Sequence, residues 1–212
     1  MNARRMRVKV CGLTRKADVT AAVAAGAWAV GFVVWPGSPR AVTLAQIRDL
    51  AADVPTRVRR VGVLVNGTVD DARRLRDDAG LTTVQLHGDE DAEPFLSLGM
   101  GVFKTVTLGS DADVDRAAAL PPDVTVLVDA QDPVRHGGTG QRADWARASA
   151  LAARRPLILA GGLRADNISE AIAQVRPWAV DVSSGLESAP GVKDIGKMTA
   201  FFGKLKSREA GK

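Results

Sequence analysis

Apolar and polar positions along this chain form short β-branched runs that alternate with longer stretches of helical periodicity, and the pair recurs eight times. Arg7–Gly12, Ala29–Val34, Arg60–Val65, Thr83–His87, Val102–Val106, Val124–Ala130, Leu157–Ala160 and Ala179–Ser183 read as strands. Helical patterns follow over Ala17–Ala25, Thr43 to about Asp53, Val69–Ala79, Glu93–Leu98, Ala112–Leu120, Asp144–Ala153 and Ala165–Val175, and Asp194–Ser207 closes the series. Thr43 is placed to cap its helix, and Gly26 and Gly80 to stop theirs. Gly185–Lys193 reads as a loop with room for one helical turn. Near-continuous apolar strands imply a sheet buried on both faces, and strand–helix alternation implies a parallel one. Eight units without a linker predict one α/β domain over residues 1–212, a (β/α)8 barrel of the TIM type. A doubly wound open sheet is the alternative, because strand order is not written in a sequence.

Composition narrows the setting more than the fold. Apolar residues make up 46% of 212 and include no run long enough to span a bilayer; the basic start leads directly into a strand rather than a signal-peptide core. A single cysteine excludes an internal disulfide. A cytoplasmic protein is expected, with no membrane partner. The net charge of +5 is scattered and aromatic residues are only 4%, which argues against nucleic acid. That excess charge can still steer a small anion. Two histidines and one cysteine offer no metal-ligand spacing, and no Gly-x-Gly-x-x-Gly follows the first strand.

In a barrel, residues just past the C-terminal ends of the strands share one mouth, where active sites are built. The sequence then supplies Cys11, Arg40, Asn66, His87, Asp129 and Asp181 to that mouth, together with glycines after the last three strands: Gly137–Gly140, Gly161–Gly162 and Ser183–Gly185. Glycine lets a backbone approach an anion closely, so three adjacent loops of this kind point to a phosphorylated small molecule. Each residue has a plainer alternative. Cys11 could be a small buried hydrophobe, Asp129 and Asp181 could cap turns, Arg40 could be solvated and His87 could bond a carbonyl. Cys11 and Asp129 together suit proton transfers on a sugar phosphate.

The ordered set Lys9-Val-Cys-Gly-Leu-Thr14, Gly31-Phe-Val33, Ser38-Pro-Arg40, Val61-Gly-Val-Leu-Val-Asn66, Val84-Gln-Leu-His-Gly88, Gly137-Gly-Thr-Gly140, Leu159-Ala-Gly-Gly-Leu163 and Asp181-Val-Ser-Ser-Gly-Leu-Glu187 resembles the phosphoribosylanthranilate isomerases. The resemblance implies a cofactor-free Amadori rearrangement of N-(5'-phosphoribosyl)anthranilate to 1-(2-carboxyphenylamino)-1-deoxyribulose 5-phosphate, the third step of tryptophan biosynthesis, by a monomer or homodimer. It implies Cys11 as general base, Asp129 as general acid, Arg40 on the anthranilate carboxylate and Asp181 on a sugar hydroxyl, and leaves the role of His87 open. By the same matching, the loop amides around Gly138, Thr139, Gly140, Gly161, Gly162, Ser184 and Gly185 hold the 5-phosphate. Ala41, and Arg142-Ala143, depart from the bulky residues of the pattern and bear on packing around the anthranilate ring and the sixth loop. A sugar-phosphate isomerase of histidine biosynthesis and a catalytically silent phosphate-binding barrel are the alternatives.

Overall fold

A computed structural model describes residues 5–129 and 144–210 of the chain. The strands are β1 (Arg7–Val10), β2 (Ala29–Val33), β3 (Arg59–Leu64), β4 (Thr83–Leu86), β5 (Gly101–Val106), β6 (Val124–Val128), β7 (Leu157–Leu159) and β8 (Ala179–Val182). They close in sequence order into a parallel barrel, with β1 paired to β8 in the register Arg7↔Ala179 to Val10↔Val182. This settles the barrel against the open sheet. The helices are α1 (Lys16–Ala25), α2 (Leu44–Ala51), α3 (Val69–Ala79), α4 (Glu93–Leu96), α5 (Asp111–Ala118), α6 (Trp145–Ala152), α7 (Ile168–Val175) and α8 (Ile195–Ala210).

Local chemistry explains where the helices start. Thr43 with Gln46, Thr68 with Asp71 and Ser110 with Asp113 form capping boxes, each satisfying two amides at a helix N-terminus. Asp144 accepts from the amides of Ala146 and Arg147 at the head of α6. Two expectations need correction. Helix α7 begins at Ile168 instead of Ala165, because the Asn167 side chain accepts from Arg164 N and donates to Gly162 O, holding residues 162–167 in a turn. The expected loop 185–193 holds a 3-10 turn (Ser184–Leu186) and an antiparallel hairpin, β9 (Glu187–Ala189) with β10 (Val192–Lys193). Its tight connection, Pro190-Gly191, puts Gly191 at a φ of 79°.

Alternation along each strand divides the apolar residues into two layers. A large cluster lies between barrel and helices, while Ala29, Val61, Phe103, Leu127, Ile158, Ala160 and Ala179 pack together as a smaller second one. The entry end of this inner cluster is closed by Trp28 and Trp178, which meet edge to face at 5.1 Å, with Phe103 stacked 6.1 Å from Trp28. Arg7 lies over Trp178 and Arg59 over Trp28, so cations cover the plug. That plug marks the end where the strands begin. The residues that follow the strands, Cys11 and Asp129 among them, lie at the other end.

Candidate active site at the barrel mouth

Strand β1 runs straight into Cys11, whose amide donates to Val182 O on β8 at 2.9 Å. The next residue, Gly12, has a φ of 71°, and a Cβ there would lie 2.4 Å from Arg40 Cδ. A glycine is therefore needed for the Arg40 side chain to cross the end of β1. Arg40 comes from the loop between β2 and α2 and is buried, with Nε donating to Glu187 Oε1 at 2.8 Å and Nη2 to Oε2 at 2.6 Å. Lys193 Nζ reaches the same carboxylate at 2.7 Å. The hairpin that carries Glu187 and Lys193 is tied to the first loop of the barrel: Thr14 Oγ1 donates to Gly191 O at 2.6 Å and Lys193 N to Asp18 Oδ2 at 3.0 Å.

Below the mouth, Lys9 is completely buried and its Nζ lies 2.8 Å from Asp181 Oδ2, across the Lys9↔Asp181 register of β1 and β8. Burial pulls the Lys9 ammonium down, but Asp181, aided by Cys11, more than reverses this and leaves it above the ordinary lysine value. For Cys11, burial is the largest influence and pushes the thiol up. Lys9 and Lys193 oppose it, Asp181 adds to it, and the thiol stays above its ordinary value. The second carboxylate oxygen of Asp181, Oδ1, is buried and has no hydrogen-bond partner among the described residues. A buried acceptor left unpaired is suited to a ligand hydroxyl.

On the opposite wall, β4 and β5 support His87 and β6 presents Asp129. Gln85 Nε2 lies 2.9 Å from His87 Nδ1, and Thr105 Oγ1 lies 3.2 Å from it. A donating Gln85 makes Nδ1 the acceptor and leaves the proton on Nε2, the nitrogen that faces Asp129 Oδ2 at 3.9 Å. The Asp129 backbone is fixed by donation to Val106 O at 3.1 Å. Asn66, at a φ of 53°, accepts from Asp89 N, so it serves the neighbouring loop.

The loops after β7 and β8 touch. A Cβ on Gly185 would lie 2.0 Å from Leu163 O, and Gly161 and Gly162 have φ values of 83° and 61°. Gly161, Gly162, Ser184 and Gly185 thus lie on two loops that meet after β7 and β8. Gly138, Thr139 and Gly140, with Ala143, lie outside the described residues. Ala41 is exposed. Sequence reasoning missed Lys9, Glu187 and Lys193. Lys9 had a usable signal, since it precedes Cys11 by two positions on a strand and so shares its face.

A family model for N-(5'-phosphoribosyl)anthranilate (PRA) isomerase matches residues 8–204. The chain is 46% identical to the N-(5'-phosphoribosyl)anthranilate isomerase of Chromohalobacter salexigens over 97% of both proteins. Its fold superposes on phosphoribosyl anthranilate isomerase from Thermus thermophilus with a TM-score of 0.87 and 38% identity, covering 96% of this chain and all of that one. A further phosphoribosyl anthranilate isomerase, solved in complex with reduced 1-(o-carboxyphenylamino)-1-deoxyribulose 5-phosphate, superposes with a TM-score of 0.84 at 35% identity, over 95% of this chain and 99% of that one.

Proposed function

Because this chain belongs to the N-(5'-phosphoribosyl)anthranilate isomerase family, we propose that it performs the isomerisation of tryptophan biosynthesis with Cys11 as general base and Asp129 as general acid. The observation that carries the assignment is the delivery of both side chains to one barrel mouth, from β1 and β6, with cations gathered around the thiol and a histidine facing the acid. Asp129 gives a proton to the furanose ring oxygen as the aniline nitrogen drives the ring open to a protonated Schiff base. Cys11 then takes the C2 proton, which the adjacent iminium has made acidic, and the resulting enolamine tautomerises to the ketone.

The remaining roles follow the same arrangement. Asp181 Oδ1 accepts from a sugar hydroxyl. Arg40 keeps its Nε and Nη2 on Glu187, so its Nη1 is the group offered to the anthranilate carboxylate. Backbone amides of the loops at Gly161–Gly162 and Ser184–Gly185 take the 5-phosphate. The substrate is a small phosphorylated molecule, handled by a cytoplasmic monomer or homodimer; among the described residues no helix is long and apolar enough to cross a membrane.

Loss of fluorescence of freshly generated phosphoribosylanthranilate is the direct assay. Wild type is expected to turn over rapidly, with kcat falling about 10²–10⁴-fold in both Cys11→Ala and Asp129→Asn. A wild type that binds the reduced product analogue without turnover would reduce the reading to a phosphate-binding barrel.

A further inference from the structure

Strand β1 places a lysine, not an apolar residue, on the bore side immediately beneath Cys11. Burying an ammonium is unfavourable unless an anion meets it, and Lys9 has Asp181 at 2.8 Å from the next strand. Such a pair is a weak source of stability, since apolar residues of similar volume would serve the core at least as well. Its position suggests a different use. Gly31, on β2, has no side chain to separate what lies around it: a Cβ there would stand 2.9 Å from Cys11 Sγ, 3.1 Å from Lys9 Cε and 3.2 Å from Lys9 Nζ. The thiol and the ammonium thus converge on the gap that Gly31 leaves open. We propose that Lys9 is a positioning residue of the reaction, its ammonium anchored by Asp181 and supplying the counter-charge on which the Cys11 thiolate forms.

Charged groups approach the thiol from four sides, and they do not act alike. Lys9 rises from β1, Lys193 comes from β10 and Arg40 from the loop after β2, while Asp181 opposes them from β8. Arg40 and Lys193 are both engaged by Glu187, which spends much of their charge locally. Lys9 exerts the largest pull toward the thiolate, set against a larger cost from burial. Without Lys9 the thiolate would face burial and Asp181 with only Lys193 and Arg40, which share the Glu187 carboxylate, to offset them. With Lys9 in place, the sulfur can take the C2 proton, and the thiolate is restored when the thiol gives a proton to C1 as the enolamine becomes the ketone, the hydroxyl proton returning to the Asp129 carboxylate. Asp181 gains two duties by this account, holding Lys9 through Oδ2 and offering Oδ1 to substrate.

The inference rests on Cys11 being the base, and the experiment separates the two. The chain has one cysteine and no tyrosine, so the ultraviolet absorbance of the thiolate can be titrated in the whole protein without tyrosinate beneath it. Three variants are compared with wild type after circular dichroism confirms folding: the charge-balanced double variant Lys9→Met/Asp181→Asn, Asp181→Asn alone, and Gly31→Ala, which keeps every charge but puts a methyl group between sulfur and ammonium. The thiolate should appear at higher pH in the double variant and in Gly31→Ala, and at lower pH in Asp181→Asn. The acid limb of kcat/KM should move in the same directions, with turnover by Gly31→Ala at pH 7 about tenfold below wild type. A double variant that loses activity while its thiol titrates with wild type overturns the inference and makes Lys9 a structural residue. Titrations that move as expected, beside a Cys11→Ala protein that still turns over, overturn the base assignment itself and leave Lys9 no part in the reaction.

Discussion

Gly185 shows how little room single residues have at the mouth. Its missing Cβ would lie 2.0 Å from Leu163 O and 3.0 Å from Arg164 Cγ, so a methyl group there must push the loop after β8 away from the loop after β7. Backbone carbonyls yield less readily than the ends of side chains, and the cost of the shift is about 1–3 kcal/mol. Both loops are assigned to the phosphate, whose binding depends on amides aimed at one point. Gly185→Ala is therefore expected to raise KM for phosphoribosylanthranilate about tenfold or more while kcat changes less, and steady-state kinetics would show the split. An equal fall in kcat with KM unchanged would place the loop in the chemistry instead. Cys11 and Asp129 carry readable chemistry as residue types; Gly185 carries its constraint only through what surrounds it.

Among the elements, the β9–β10 hairpin does most to shape the site. It joins the mouth to the barrel's first loop through Thr14 and Asp18 and delivers Glu187 between Arg40 and Lys193. Burial tends to raise the Glu187 carboxyl, but Arg40 and Lys193 outweigh it and leave it below the usual carboxylate value. A carboxylate with a lower pKa in the folded than in the unfolded chain contributes stability that is complete above the unfolded value of about 4.3 and is lost as pH falls through the folded one. Glu187→Gln leaves two buried cations without their anion, at a cost of about 3 kcal/mol, or roughly 6–12 °C in Tm at pH 7. Thermal melts of wild type and variant should differ by that amount at neutral pH, with the difference beginning to shrink near the unfolded value of about 4.3 and closing only as pH falls through the lower folded one. A difference that persists unchanged into acid would mean that Glu187 acts through packing rather than charge.

Across the whole molecule, stability and chemistry sit at opposite ends of the bore. Phe103 is buried in the inner cluster and stacked on Trp28 at the end where the strands begin, whereas the reacting groups stand where they finish. Phe103→Ala should cost about 3–5 kcal/mol of stability, measured by denaturant unfolding. Its kcat, measured well below the melting temperature, is expected to stay within about threefold of wild type. A large loss of kcat in a protein that remains folded would show that the plug governs the geometry of the mouth. The same division explains why apolar strands of three to six residues suffice for the barrel, while the loops that follow them carry the variety.

The sequence by itself determined the eight strand–helix units, the caps at Thr43, Gly26 and Gly80, and the placement of Cys11, His87 and Asp129 at strand ends, Arg40 in the second loop and Asp181 within the eighth strand. These are local facts, set by periodicity, helix-end chemistry and the two-residue alternation of a strand. Tertiary structure decided what those residues meet. Closure of β1 against β8 put Lys9 beside Asp181, 172 positions away in the chain, and the hairpin brought Glu187 to Arg40 across 147. Neither pairing has a local signature, because a lysine on a strand or a glutamate in a loop is ordinarily solvated, and only closure of the barrel removes the water and makes each charge require a partner.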